Sequence, residues 1–226
     1  MESHALIPCR LFIFDLDGTL IESRADICLS LNLALTRMNI PTLPESHISD
    51  FIGEGLQKLV ERSLREATGR EPEPELVEDT IQLFREEYGR HLLDHTHLRP
   101  GVVEALDRLA WASFAVASNK PEVFSRSILE GLGIGNRFCA ILGGDSVRSR
   151  KPDPEPLLEV MNMCNAHPSE TVMVGDSRVD IQAGKAATVV TCGVLGGFRP
   201  REELEAAGCD LLIGNLIELT DHFCPP

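Results

Sequence analysis

Six short stretches of the chain are apolar almost from end to end: residues 11–14, 114–117, 139–142, 171–174, 189–192 and 211–213. A strand with one face in water alternates apolar and polar side chains. Strands buried on both faces do not, and they belong to parallel sheets covered by helices. Helical patterns fall between the runs. Val103, Leu106, Leu109 and Ala110 share one face, and Leu157, Leu158, Met161 and Cys164 share another. Strand and helix in alternation predict an α/β protein built on a doubly wound parallel sheet.

One block breaks the alternation. Residues 21–95 show only helical periodicity, with stripes at Ile27, Leu31, Leu35 and Met38, at Leu56, Leu59, Val60 and Leu64, and at Leu76, Val77, Ile81, Phe84 and Tyr88. The expected organisation is an α/β core from residues 1–20 and 96–226, with an α-helical domain inserted at 21–95.

Composition narrows the partners. The 226 residues are 43% hydrophobic and 25% charged, as in an ordinary globular protein. Against 21 basic residues stand 35 acidic ones, a net charge of −14. A surface of that sign repels nucleic acid and anionic membranes, so an anionic ligand needs a pocket with its own cation. The seven cysteines show no CxxC or other tight pairing. They read as buried thiols rather than zinc ligands or disulfides, as in a reducing compartment. The N-terminus MESHALIPCR lacks the pattern of a signal peptide. No apolar run reaches the ~18 residues of a membrane span. The expectation is a cytoplasmic monomer or homodimer acting on a small molecule.

The chemistry concentrates where the apolar runs end. Phe14-Asp15-Leu16-Asp17-Gly18-Thr19-Leu20 closes the first run, and residues two apart in extended chain point the same way. Two carboxylates crowded at the carboxyl end of a strand, where α/β sheets bind ligands, call for a cation. Mg²⁺ fits, taking one or two carboxylates with waters and substrate oxygens. The second run leads into Ser118-Asn119, ahead of a helix that Pro121 can open. A hydroxyl and free N–H groups there can cradle a phosphate, or Ser118 can simply cap the helix. Lys151-Pro152-Asp153-Pro154 sets a lysine just before another helix, either to neutralise phosphate and carboxylate or as a solvated charge. Gly175-Asp176-Ser177-Arg178-Val179-Asp180 ends the fourth run. Asp176 falls where a third oxygen ligand for Mg²⁺ belongs. Ser177-x-x-Asp180 resembles a capping box, which leaves Asp180 supporting the ligands from behind.

These motifs, in this order on successive strand ends, resemble the haloacid dehalogenase-like hydrolases, and among them the phosphoglycolate phosphatases. The resemblance carries further through Ile52-Gly53-Glu54-Gly55-Leu56, Ser118-Asn119-Lys120-Pro121 and residues 175–187. It implies a Rossmann-like core with a mobile helical cap. It implies Asp15 as nucleophile and Asp17 as general acid/base, with Mg²⁺ on Asp15, the Asp17 backbone carbonyl and Asp176. Ser118, Asn119 and Lys151 would hold the substrate, with Gly53, Glu54 and Gly55 meeting it from the cap. The implied activity is Mg²⁺-dependent hydrolysis of a small phosphomonoester, 2-phosphoglycolate first, through an aspartyl-phosphate. An inorganic pyrophosphatase or phosphohexomutase of the same fold is the alternative. A phospho-signalling receiver fits poorly, because receivers carry the acceptor on a mid-chain strand and lack a helical insert.

Two further features read as structural. His95-x-His97 has no third metal ligand nearby in sequence. The glycine-rich 193–197 segment lacks nucleotide-loop spacing and reads as a loop beside the site.

Overall fold

The computed structural model describes residues 6–226. Residues 1–5, on which part of the leader reading rests, lie outside them. A short strand β1 (Ile7–Pro8) precedes β2 (Leu11–Phe14), the first strand of the main sheet. The chain then leaves through β3 (Ile21–Glu22) into four consecutive helices: α1 (Arg24–Arg37), α2 (Glu45–Ser49), α3 (Leu56–Thr68) and α4 (Pro74–Arg90). It returns through β4 (His97–Leu98), which pairs antiparallel with β3 so that the two crossings run side by side. From there helix and strand alternate: α5 (Val102–Arg108), β5 (Ser113–Ala117), α6 (Glu122–Gly131), β6 (Phe138–Leu142), α7 (Glu155–Met163) and β7 (Thr171–Gly175). The chain closes with α8 (Arg178–Ala186), β8 (Val190–Val194), α9 (Arg201–Ala207), β9 (Leu211–Ile213) and β10 (Phe223–Cys224).

The six-stranded sheet is parallel throughout, in the order β6-β5-β2-β7-β8-β9. Numbered within the sheet this is 3-2-1-4-5-6, the Rossmann-like doubly wound order. Its direction of winding reverses between β2 and β7, so a crevice opens at their carboxyl ends. Every residue of β2 and β7 is buried, because helices cover both faces. Phe12 and Phe14 pack into the larger apolar cluster and Leu11 and Ile13 into the smaller one on the opposite face. Each such side chain contributes about 1.5–3 kcal/mol of burial.

Two helix faces differ from expectation by one residue of phase. In α5 the buried stripe is Val102, Ala105, Leu106 and Leu109, while Val103 and Ala110 are exposed. In α7, Leu157, Val160 and Met161 face inward and Leu158 points to water. In both helices neighbouring aliphatic residues permitted two i, i+3, i+4 readings, and packing selects one.

The cysteine expectation needs correcting. Cys139, on exposed edge strand β6, forms a disulfide with Cys164 at the C-terminal end of α7, the Cα atoms 6.3 Å apart. A separation of 25 residues leaves no spacing signal. The contact exists only because α7 packs back on β6. Cys9, Cys28 and Cys192 are buried thiols as expected, and burial pushes the first two up to about 12. Among the described residues, no helix is long and apolar enough to cross a membrane.

Candidate active site

Asp15 follows the last residue of β2 and Asp176 the last of β7, so the two flank the crevice where the winding reverses. Asp15 is anchored by its N–H, which donates to Val174 O at 2.9 Å. Gly18 then takes a φ of +84°, a conformation side chains resist, and turns the chain back over the strand end. A Cβ at Gly18 would fall 2.2 Å from an Asp176 carboxylate oxygen. Only glycine lets the two loops approach this closely.

One lysine ties the carboxylates together. Lys151 Nζ donates to Asp15 Oδ1 at 2.9 Å and to Asp180 Oδ1 at 2.6 Å, with all three residues buried. Burial disfavours the ammonium, but Asp15 and Asp180 outweigh it and hold its pKa above the ordinary value. Asp180 Oδ2 accepts from Ser177 N and Oγ at 3.1 and 2.6 Å, completing the expected capping box of α8. Its carboxylate is thus fully committed. Asp15 Oδ2, by contrast, receives no hydrogen bond from the described residues.

Asp176 has no cation within 4.0 Å among the described residues. Its Oδ2 accepts from Phe198 N at 2.6 Å and its Oδ1 from Thr19 Oγ1 at 3.4 Å. Burial pushes its pKa well above normal, and Asp180 and Asp15 add to the push. Burial likewise raises Asp15 to about 6, against the pull of Lys151. Ligand atoms of Asp15, Asp176 and Asp180 lie within 4.8 Å of one another. Three buried carboxylates facing one lysine leave uncompensated negative charge, and an all-oxygen donor set suits a hard divalent cation. The residues present fit Mg²⁺.

The other expected residues assemble around this centre. Asp17 Oδ1 accepts from Ser23 Oγ at 2.5 Å. Ser118 follows β5 and its Oγ accepts from Lys120 N at 3.3 Å. Helix α6 starts beyond it with Pro121 as its N-cap, so Ser118 is not the cap. Asn119 Nδ2 donates to Gly53 O and to Lys151 O, each at 3.0 Å, while its buried Oδ1 has no partner. A cavity of about 50 Å³ lies under the helices, its wall including Asp15, Asp17, Gly53, Gly55, Ser118 and Asn119. One water needs about 10–15 Å³ on this measure, so the space holds a few small groups.

Glu54 is the member placed apart. It does not line the cavity; its carboxylate takes Lys58, Arg62 and Arg178, each at 3.0 Å, and so joins the cap loop to the start of α8. Sequence reasoning gave no role to Lys120, whose buried Nζ lies 3.1 Å from Asp17 Oδ2 and 2.6 Å from the Tyr88 hydroxyl of α4. Nor did it single out Arg99, which donates to Gly18 O and Leu195 O and braces the loops around Asp176. Two residues beyond Ser118, Lys120 reads as a helix-entry charge, and its partner Tyr88 lies 32 residues away. The 193–197 segment does border the site: a Cβ on Gly197 would fall 2.4 Å from the Asp176 side chain. The two histidines join no metal-capable group among the described residues.

The sequence pattern of the haloacid dehalogenase-like hydrolases matches residues 12–194, a span that holds Asp15, Ser118, Lys151 and Asp176. The chain belongs to this family. The hydrolase is 37% identical over 216 residues to a phosphoglycolate phosphatase of Pectobacterium atrosepticum, covering 95% of this chain and 92% of the relative. A phosphoglycolate phosphatase of Colwellia psychrerythraea is 36% identical, with 88% and 90% covered. The hydrolase superposes on the crystal structure of a predicted phosphoglycolate phosphatase from Haemophilus somnus with a TM-score of 0.88 at 30% identity, covering 93% of this chain and 96% of that one.

Proposed function

We propose that this hydrolase is a Mg²⁺-dependent phosphatase of small phosphomonoesters, with 2-phosphoglycolate as the leading substrate, working through an aspartyl-phosphate on Asp15. The observation that carries the reading is the pairing of Asp15 and Asp17 at one cavity. One carboxylate has an oxygen free to attack, and a second stands beside it to handle the proton. The names of the relatives support the substrate, and the small cavity supports its size.

In the first step Asp15 Oδ2 forms a bond to phosphorus while the phosphorus–oxygen bond to the leaving group breaks. Asp17 delivers a proton to the departing oxygen. In the second step water attacks phosphorus, Asp17 takes its proton, and phosphate leaves with the Asp15 carboxylate restored. Lys151 holds Asp15 in line and offsets charge on the transferring group. Ser118 Oγ, which accepts from Lys120 N, donates its own proton to a phosphoryl oxygen. Asp15, Asp176 and the Asp17 backbone carbonyl would hold Mg²⁺, which when bound supplies charge stabilisation for the phosphoryl oxygens. The helical block acts as a cap whose loop docks through Gly53 O on Asn119 and Glu54 on Arg178, excluding water during turnover.

Phosphate release from 2-phosphoglycolate, with Mg²⁺ and with excess chelator, tests this. Turnover that needs the metal and exceeds that of phosphopeptides or nucleotides is expected. Full activity in chelator, or a tenfold preference for a nucleotide, about 1.4 kcal/mol in transition-state binding, would contradict it.

A further inference from the structure

The cavity beneath the cap is apolar over much of its wall, where Ile27, Ile52, Leu56, Leu59 and Phe84 face it. Lys120 is the one cationic side chain in that lining. None of the nearby arginines lines the cavity: Arg62 and Arg178 hold Glu54, Arg199 donates to Ile52 O, and Arg150 Nε to Gly144 O. An ammonium has three N–H donors. Lys120 donates one to the Tyr88 hydroxyl and pairs as an ion with Asp17 Oδ2 at 3.1 Å, and no further acceptor is found among the described residues. Lys120 is buried, so an unused donor there has no bulk water to meet.

We propose that Lys120 receives a carboxylate carried by the leaving group, so that the site selects phosphate esters of short 2-hydroxy acids. This rests on the phosphatase reading, in which Asp17 protonates the ester oxygen. Lys120 Nζ lies 3.1 Å from Asp17 Oδ2, so a group accepting a proton from Asp17 sits beside the ammonium. In a 2-hydroxy acid ester the carboxylate carbon is two bonds from that oxygen, within reach of Nζ. A longer chain would carry its charge past Lys120 into the apolar wall. The Tyr88 ring, its centroid 4.5 Å from Nζ, fixes the ammonium from the cap side, so the receptor is completed by the closed cap.

The test compares 2-phosphoglycolate with ethyl phosphate, which replaces the carboxylate by a methyl group, in wild type and in K120M. The quantity read is the ratio of the two kcat/KM values. Both substrates are measured on one preparation, so partial loss of folded enzyme cancels. The ratio should fall at least tenfold in K120M, about 1.4 kcal/mol of discrimination. A fall of less than tenfold, with both esters slowed together, would show that Lys120 serves only Asp17 and would overturn the proposal. If K120M is inactive on both esters, K120Q, which keeps a donor towards Asp17 but removes the charge, is read by the same criterion. Wild type that turns over neither ester would instead remove the phosphatase reading itself.

Discussion

Lys151 Nζ lies 2.9 Å from Asp15 Oδ1, although 136 residues separate them in the chain. The same nitrogen holds Asp180 at 2.6 Å, so one cation fixes the Asp15 carboxylate, the nucleophile of the proposed mechanism, and anchors the start of α8. Lys151→Ala should therefore lower both rate and stability. The rate loss should be roughly 10²–10³-fold, as for other preorganised electrostatic donors. Removing one partner of a buried ionic cluster costs about 3–5 kcal/mol. Steady-state kinetics beside denaturant unfolding measure the two losses, and a variant with wild-type values of both would place Lys151 outside the machinery.

Asp17→Asn keeps an acceptor for Ser23 and the backbone carbonyl but cannot carry a proton. Its kcat should fall by about 10²–10⁴-fold with KM little changed. A variant that loses affinity but keeps kcat would make Asp17 a binding residue only.

Gly197 bears on the proposed metal ligand Asp176 through space alone. A methyl there would fall 2.4 Å from Asp176, whose Oδ2 is held by Phe198 N at 2.6 Å. Gly197→Ala should displace that carboxylate and weaken Mg²⁺ binding at least tenfold, read by calorimetry. Unchanged affinity would mean that Asp176 is no ligand.

Glu54 ties cap to core electrostatically. Burial raises its pKa, but Lys58 and Arg62 outweigh that and hold the carboxyl down at about 2, against an ordinary 4.5. A depressed pKa contributes stability that is complete above 4.5 and is lost as pH falls towards 2. The stability difference between wild type and Glu54→Gln should be largest above pH 4.5 and shrink on acidification. A difference independent of pH would show that the ion pairs add nothing, as exposed pairs often do.

The sheet was legible because its strands are buried on both faces, which writes continuous apolar runs such as residues 171–174 into the sequence. Asp15 and Asp176 were legible because each directly follows a strand, and Lys151 because its loop leads into α7, so the fold brings all three to one end of the sheet. Glu54 was recognisable as part of a cap loop, but which neighbour its side chain meets depends on how α3 and α8 dock. Lys120 escaped because its meaning lies in Tyr88, in the last turn of cap helix α4. The Cys139–Cys164 bond and the phase of α5 escaped for a like reason: tertiary packing selects them among local patterns that permit several outcomes.

In the proposed mechanism phosphorus is attacked by Asp15 rather than by water. Rapid acid quench during turnover of 2-phosphoglycolate, followed by peptide mass spectrometry, tests it directly. Phosphate on the peptide carrying Asp15 is expected in wild type, and neither phosphorylated peptide nor turnover in folded Asp15→Asn. Sustained turnover by Asp15→Asn, or label on a different residue, would contradict it.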